Sequence, residues 1–358
     1  MIQFQPSRAL SIALSLAFLV VYPVTKLRAD SANQSIPSPR YTIRDSGLPH
    51  GQIYLIKGFN DACQIAGEAG IIDPDSSQPA FQPFRWSNGK FNILNMLVTR
   101  GLSSKGQVLG EADIDGSIHA VIWNNGKRID RGALGFGGGV YVINDHGVIL
   151  GTLKVDINTN SHSAFVSTNE DVSIAPKLGT GNVYTYAINN AGAIVYSELL
   201  DNGTFNAFLL EKGMARKIGE FFVIGINDNG DINGSTPQGG FVFYHDGIVT
   251  SLEQPPVSTD KIWGVDPLNN RGEIVGSIQR QDSKRYAALW RDGRFFDLNH
   301  CIVPAGKHDV WVLEDAQAIN NRGQIIGNAK HNGKPVIFLM TPTDAALASP
   351  HAIPNLHR

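Results

Sequence analysis

Residues 318–327 read Ala318-Ile319-Asn320-Asn321-Arg322-Gly323-Gln324-Ile325-Ile326-Gly327. A polar turn that opens on Asn and ends in Gly is followed by an apolar pair and a second Gly. The same phrase recurs at 58–67 (GFNDACQIAG), 101–110 (GLSSKGQVLG), 142–151 (VINDHGVILG), 187–196 (AINNAGAIVY), 225–234 (GINDNGDING) and 267–276 (PLNNRGEIVG). Each copy leads to an apolar or aromatic run: PFRW (83–86), HAVIW (119–123), SAFVS (163–167), NAFLL (206–210), GFVFY (240–244), AALW (287–290) and VIFLM (336–340). The turn residue falls at Cys63, Gly106, Gly147, Gly192, Gly230, Gly272 and Gly323. A period of roughly 40–50 residues with paired Gly turns is that of a four-stranded propeller blade, and helical-pair repeats lack such turns.

Within the third copy the pattern predicts Val140–Ile143 as the first strand, a strand starting at Val148–Leu150, and Ser163–Val166 as the third. Asn88-Gly89, Asn125-Gly126, Asp246-Gly247 and Asp292-Gly293 mark a second hairpin, because both dipeptides tolerate the left-handed backbone of a tight turn. Fourth strands are expected at Lys127–Ile129, Ala215–Ile218 and Arg294–Leu298. The last copy stops at Val336–Met340 without a fourth strand, whereas Tyr41–Asp45 reads as a fourth strand lacking its other three. Joining these orphans removes exposed sheet edges. The expectation is an all-β, seven-bladed β-propeller of four-stranded antiparallel blades, closed by the N-terminal strand on the last blade.

Composition agrees. The 358 residues are 42% apolar and 17% charged, with 38 Gly, which suits short strands and tight turns. A net charge of -2 offers no basic field, so a nucleic-acid partner is not expected. Arg8, the uncharged stretch 9–24 and Ala29 describe a secretory signal peptide over residues 1–29. That stretch is short of the roughly 20 apolar residues of a membrane span, so no stable span is expected after cleavage. A polar spacer (30–39), the propeller (40–342) and an aperiodic tail (343–358) follow. This organisation predicts a secreted or periplasmic protein. Cys63 occupies a turn and Cys301 a connector, which in a blade lie too far apart for a disulfide, so two unpaired thiols are expected.

Taken together, the Ala-Ile-Asn-Asn-x-Gly phrase, Phe296-Asp297-Leu298-Asn299, the stretch 318–327 and Phe338-Leu339-Met340-Thr341-Pro342 resemble the HAF family of extracellular repeats over roughly residues 41–342. The resemblance implies an exported bacterial protein whose motif residues are structural, and it implies no particular reaction. Cys63 and Tyr196 at Gly positions, the short fifth copy and Pro267 depart from the pattern.

Catalytic signatures are missing. The sequence has no His pair at HExxH spacing, no CxxC and no Gly-x-Ser-x-Gly elbow. Gly135–Gly139 lacks the Lys-Ser/Thr of a phosphate loop and reads as the connector between blades two and three. His119 and His162 fall in or beside the third-strand motif. No cofactor is expected. Three acidic loops, Asp73/Asp75, Asp113/Asp115 and Asp228/Asp231, have the alternating oxygen donors that Ca²⁺ uses, and the same residues are ordinary turn formers. Six positions before each turn marker, on the innermost strands, stand Lys57, Arg100, Tyr141, Tyr186, Ile224, Asp266 and Gln317, with Trp263 an alternative to Asp266. The polar and aromatic members would gather at the mouth of an axial channel as a floor for a sugar or peptide, or else serve interblade packing. The functional expectation is an exported, non-catalytic binding or scaffold protein for a glycan or protein partner. The alternative is a polysaccharide lyase or glycoside hydrolase using Arg100, Tyr141, Tyr186 and Asp266 at the channel mouth, if they converge.

Overall fold

The computed structural model describes residues 38–71, 80–135, 138–154, 162–168, 172–174, 182–257, 260–265, 268–303, 306 and 309–343. The expected signal peptide, almost all of the spacer, the tail beyond 343, the Asp73/Asp75 loop and Asp266 lie outside them.

Seven four-stranded antiparallel sheets follow one another along the chain. Blade one covers residues 52–93, blade two 98–133, blade three 139–174, blade four 182–219, blade five 222–251 and blade six 261–297. Blade seven takes three strands from 311–342 and its fourth, outermost strand from Tyr41–Asp45. That strand pairs antiparallel with Lys334–Pro342, from Tyr41 opposite Pro342 to Asp45 opposite Phe338. The fold is a seven-bladed β-propeller closed as the orphan strands foretold. Among the described residues the only helical segment is the 3₁₀ turn Leu298–His300, which ends the fourth strand of blade six at Asp297.

The core is a ring of slabs between neighbouring blades, not one central mass. Leu109, Ile122, Val140 and Phe165 join blades two and three. Val195, Leu209, Val223 and Ile232 join four and five. Tyr54, Trp86, Ile326 and Leu339 carry the packing across the closure from seven to one. Each second strand lies between two such slabs. Val108–Ala112, Ile194–Glu198 and Ile274–Ile278 are therefore buried on both faces, which explains their near-continuous apolar sequence.

The turn of the repeat phrase is a three-residue hairpin loop, one residue longer than a two-residue turn. The Gly323 amide bonds to the Asn320 carbonyl and Asn320 N–H to the Gln324 carbonyl, with Gly323 in the left-handed region at φ 73°. Cys63 adopts the same conformation at φ 54°, so a non-Gly residue carries that strain in blade one. The second Gly of the phrase answers a different need. A Cβ on Gly327 would collide with the Asp315 carbonyl of the inner strand. The outer hairpins form as their dipeptides indicated, with Asn88, Asn125, Asp246 and Asp292 at φ 46–52° ahead of their glycines. Cys63 and Cys301 are both free thiols. Burial pushes the Cys301 thiol up to about 12, helped by the Asp297 carboxylate, so it is an inert core group.

Candidate functional site

At one end of the axis the seven turns surround a pit of about 200 Å³, lined by three residues from each blade. Its wall is built by the Asn that opens each turn. In blade seven the Asn320 side-chain oxygen accepts from the amides of Arg322 and Gln324, holding its own turn. Its Nδ2 reaches the Asn60 carbonyl of blade one at 3.1 Å. The same reach links Asn144 to Asn189, Asn189 to Asn227, Asn227 to Asn269, Asn269 to Asn320, and Asn60 to Ser103.

A second ring lies one residue further on. The backbone amide of each residue donates to the side-chain oxygen of its successor: Ser104 to Asp145, Asp145 to Asn190, Asn190 to Asp228, Asp228 to Asn270, Asn270 to Asn321 and Asn321 to Asp61. Repetition of Asn-Asn/Asp is therefore a circumferential lock, because each blade sends two donors to the next blade and presents two acceptors to the one before. Asp228 works here as a ring acceptor, and Asp113 caps its own hairpin through Gly116 N–H at 2.9 Å.

Both rings break at blade two, where Ser103-Ser104 replaces the amide pair. Ser103 Oγ accepts the Gln107 amide at 3.2 Å and so holds its own turn, yet it has no second arm toward the Asn144 carbonyl. Ser103→Asn supplies that arm. It is expected to raise stability by about 1 kcal/mol, read as a higher thermal midpoint. A midpoint equal to or below wild type would show that the ring contributes no stability there.

The residue four after each Asn explains a further regularity. Asn60, Asn227, Asn269 and Asn320 donate to the side chains of Gln64, Asp231, Glu273 and Gln324. These in turn face the residue that ends the third strand or its run: Gln64 faces Ser87, Asp231 faces His245, Glu273 faces Arg291 and Gln324 faces Thr341. An acidic member always meets a basic partner and a neutral amide meets a hydroxyl. In blade six the pair is buried, with Glu273 and Arg291 side chains 1% and 7% exposed. Arg291 also donates to the Tyr41 hydroxyl at 3.0 Å, which ties the charge pair to the closing strand. Burial, the largest influence there, pushes the Tyr41 hydroxyl far above its ordinary value and keeps it protonated.

Further along the axis every inner strand carries a β-bulge. The register slips at Lys57, Arg100, Tyr141, Ile224, Trp263 and Gln317. In blade four it slips at Thr185, one residue before Tyr186. The sequence set therefore marks the bulge in blades one, two, three, five and seven. The slip described in blade six falls at Trp263, at the level of a second slip of blade seven at Glu314, and the copy spacing misplaces the bulge by one residue in blade four. The Tyr186 and Trp263 side chains lie outside the described residues. A bulge re-aims its residue out of the ladder, and Lys57, Arg100 and Tyr141 are exposed accordingly.

Their contacts differ. Arg100 forms a two-pronged pair with Glu111 at 3.1 and 3.3 Å, and Glu111 also accepts the Val140 amide of blade three. The Tyr141 hydroxyl lies 3.0 Å from Thr152 Oγ1. The Gln317 amide brackets blade one, donating to the Tyr54 carbonyl and accepting from Ile56 N–H. Arg100, Glu111 and Tyr141 thus sit on adjoining inner walls of blades two and three, whereas Gln317 is an interblade brace. Glu111 is a member that sequence reading missed. The signal was there: it is one of two Glu residues placed directly after the second Gly of a repeat, Glu68 being the other.

No family model and no curated protein matches the chain. Among solved structures it is similar to the acylaminoacyl peptidase of Pyrococcus horikoshii, at 12% identity and a TM-score of 0.54 over 82% of this chain and 53% of that one. A puromycin-hydrolyzing peptidase of Mycobacterium tuberculosis matches at 8% and 0.52, over 87% of this chain and 55% of that one. The β-propeller domain of the Trilobed protease from Pyrococcus furiosus, described as having an open velcro topology, matches at 9% and 0.53, over 90% of this chain and 99% of that one. The chain spans about half the length of the two whole peptidases and nearly all of the isolated propeller. These likenesses establish the propeller fold, and this propeller differs from the last in being closed by its N-terminal strand. No helix among the described residues is long and apolar enough to cross a membrane.

Proposed function

We propose that the protein is an exported, non-catalytic propeller of the HAF type that serves as a binding module for a glycan or protein partner. The observation that carries this reading is the commitment of the axial polar groups to structure. Asp61, Asp145 and Asp228 accept turn amides of neighbouring blades. Gln317 braces blade one, and Glu111 is shared between Arg100 and a backbone amide. A general acid or base must be free to exchange a proton with substrate, and groups so engaged hold geometry instead. The apolar leader-like stretch 9–24 supports export.

The proximity of Arg100, Glu111 and Tyr141 makes the enzymatic alternative concrete, since a lyase needs a base beside a charge-neutralising cation. Fractionation of cells making the full chain, together with turnover assays on polysaccharides, acyl-peptides and lactones, tests both parts. The processed protein is expected outside the cytoplasm and without turnover. Activity that Arg100→Ala abolishes would overturn the non-catalytic reading, and retention of the unprocessed chain in the cytoplasm would overturn export.

A further inference from the structure

Away from the axis, at the rim of blade six, lies a cavity of about 700 Å³. Four segments form it: Ser38 ahead of the closing strand, the connector entering blade six, the loop joining its second and third strands, and its outer hairpin running into the 3₁₀ turn. The volume falls within the 300–1,000 Å³ of small-ligand sites. Tyr286 is buried, and its hydroxyl donates to Asp260 Oδ2 at 3.1 Å. Phe295 is half-buried and edge-on to Tyr286, and the half-buried Phe296, next on the strand, also lines the cavity. The exposed Arg280 guanidinium lies 4.6 Å from the Tyr286 ring centre. Among the described residues no hydrogen-bond partner occupies it. Asp297 Oδ1 holds the 3₁₀ turn through the Asn299 amide.

The chemistry selects a ligand class. Carboxylates and a guanidinium line the same cavity, so a ligand of uniform charge meets repulsion from one sign or the other. A neutral ligand rich in hydroxyls satisfies both, donating hydrogen bonds to Asp260 and accepting them from Arg280. Aromatic surface beside those groups covers the C–H face of such a ligand. Resting on the binding-module reading above, we propose that this rim cavity is a subsite for a neutral oligosaccharide. Phe295 and Phe296 form its apolar wall, and Arg280 and Asp260 read its hydroxyls. The axial pit is smaller and most of its polar side chains are engaged in the two rings, so it is not the sugar site.

Calorimetric titration of the folded full-length protein with cellotetraose, chitotetraose, maltotetraose and xylotetraose tests the assignment, with tetralysine and tetraglutamate as charged probes. At least one sugar is expected to bind and neither peptide. Arg280→Ala and Asp260→Asn should each weaken the sugar about tenfold or more, whereas Lys105→Ala in the turn of blade two should not. Thermal melts of each variant show that the loss is not unfolding, since Arg280 is a surface residue. Sugar binding unchanged by Arg280→Ala overturns the rim site and leaves the binding role intact. Binding of a charged peptide and no sugar overturns the ligand class. Cleavage of a bound sugar leaves this site standing and overturns the non-catalytic reading instead.

Discussion

Glu273→Ala is expected to lower the melting temperature by on the order of 10 °C, one of two comparable effects centred on the closure of the ring. The Glu273 carboxylate is 1% exposed, accepts Asn269 Nδ2 and Arg291 Nε, and has Arg271 at 3.5 Å. Removing it leaves the buried Arg291 charge without its carboxylate, beside the neutral Tyr41 hydroxyl, and breaking a buried pair in this way costs about 3–5 kcal/mol. For a domain of this size each kcal/mol shifts the midpoint by about 2–4 °C. The charge pair itself need not be a net gain. Blade seven does the same job with Gln324 and Thr341. The double substitution Glu273→Gln with Arg291→Thr copies that neutral pairing and is expected to recover more than half of the loss. A Glu273→Ala midpoint within 1 °C of wild type would refute the argument, as would a double variant no more stable than the single.

Tyr41→Ala is expected to cost about 3–5 kcal/mol, the usual toll of deleting a fully buried aromatic side chain. Tyr41 is 0% exposed and packs with Leu298, Cys301, Leu313 and Phe338. Its backbone bonds the segment after the 3₁₀ turn, the amide donating to the Cys301 carbonyl and the carbonyl accepting from Val303, while Pro342 lies opposite it on the other edge. Loss of the ring removes the apolar anchor of the strand that closes the propeller, so limited proteolysis should cut the N-terminal strand before any other. Tyr41→Phe keeps that anchor and loses only the bond from Arg291, a loss of about 1–2 kcal/mol. Equal damage from the Ala and Phe variants would place the effect in the hydroxyl rather than in packing. The two predictions share Arg291, so their effects should not add when combined.

Most of the architecture was legible because a propeller repeats its local solution. Asn and Gly at fixed offsets specify the same turn in every copy, and orphan strands at the two ends leave one economical pairing. The inner-strand positions six before the turn were legible for the same reason, and only the structure showed that five of them are bulges. The slip to Thr185 was not legible, because blade four has Tyr196 where its sisters have the second Gly, and counting from the turn assumes equal strand lengths. The rim cavity was invisible. Its residues come from Ser38 near the N-terminal strand, the connector before blade six, a loop and the outer hairpin inside it and the 3₁₀ turn after it, which share no sequence period.

The division follows from the range of the forces involved. Turn conformation, strand alternation and repeat count are set within a few residues by backbone sterics and apolar periodicity, and the chain alone determined them. Which side chains meet across blades is set by packing of segments distant in sequence. Arg291 and Tyr41 are 250 positions apart and Gln317 and Tyr54 263, yet each pair is in hydrogen-bond contact. Only the closed ring decided those encounters, because no local preference distinguishes an arginine that will find a tyrosine from one that will face water.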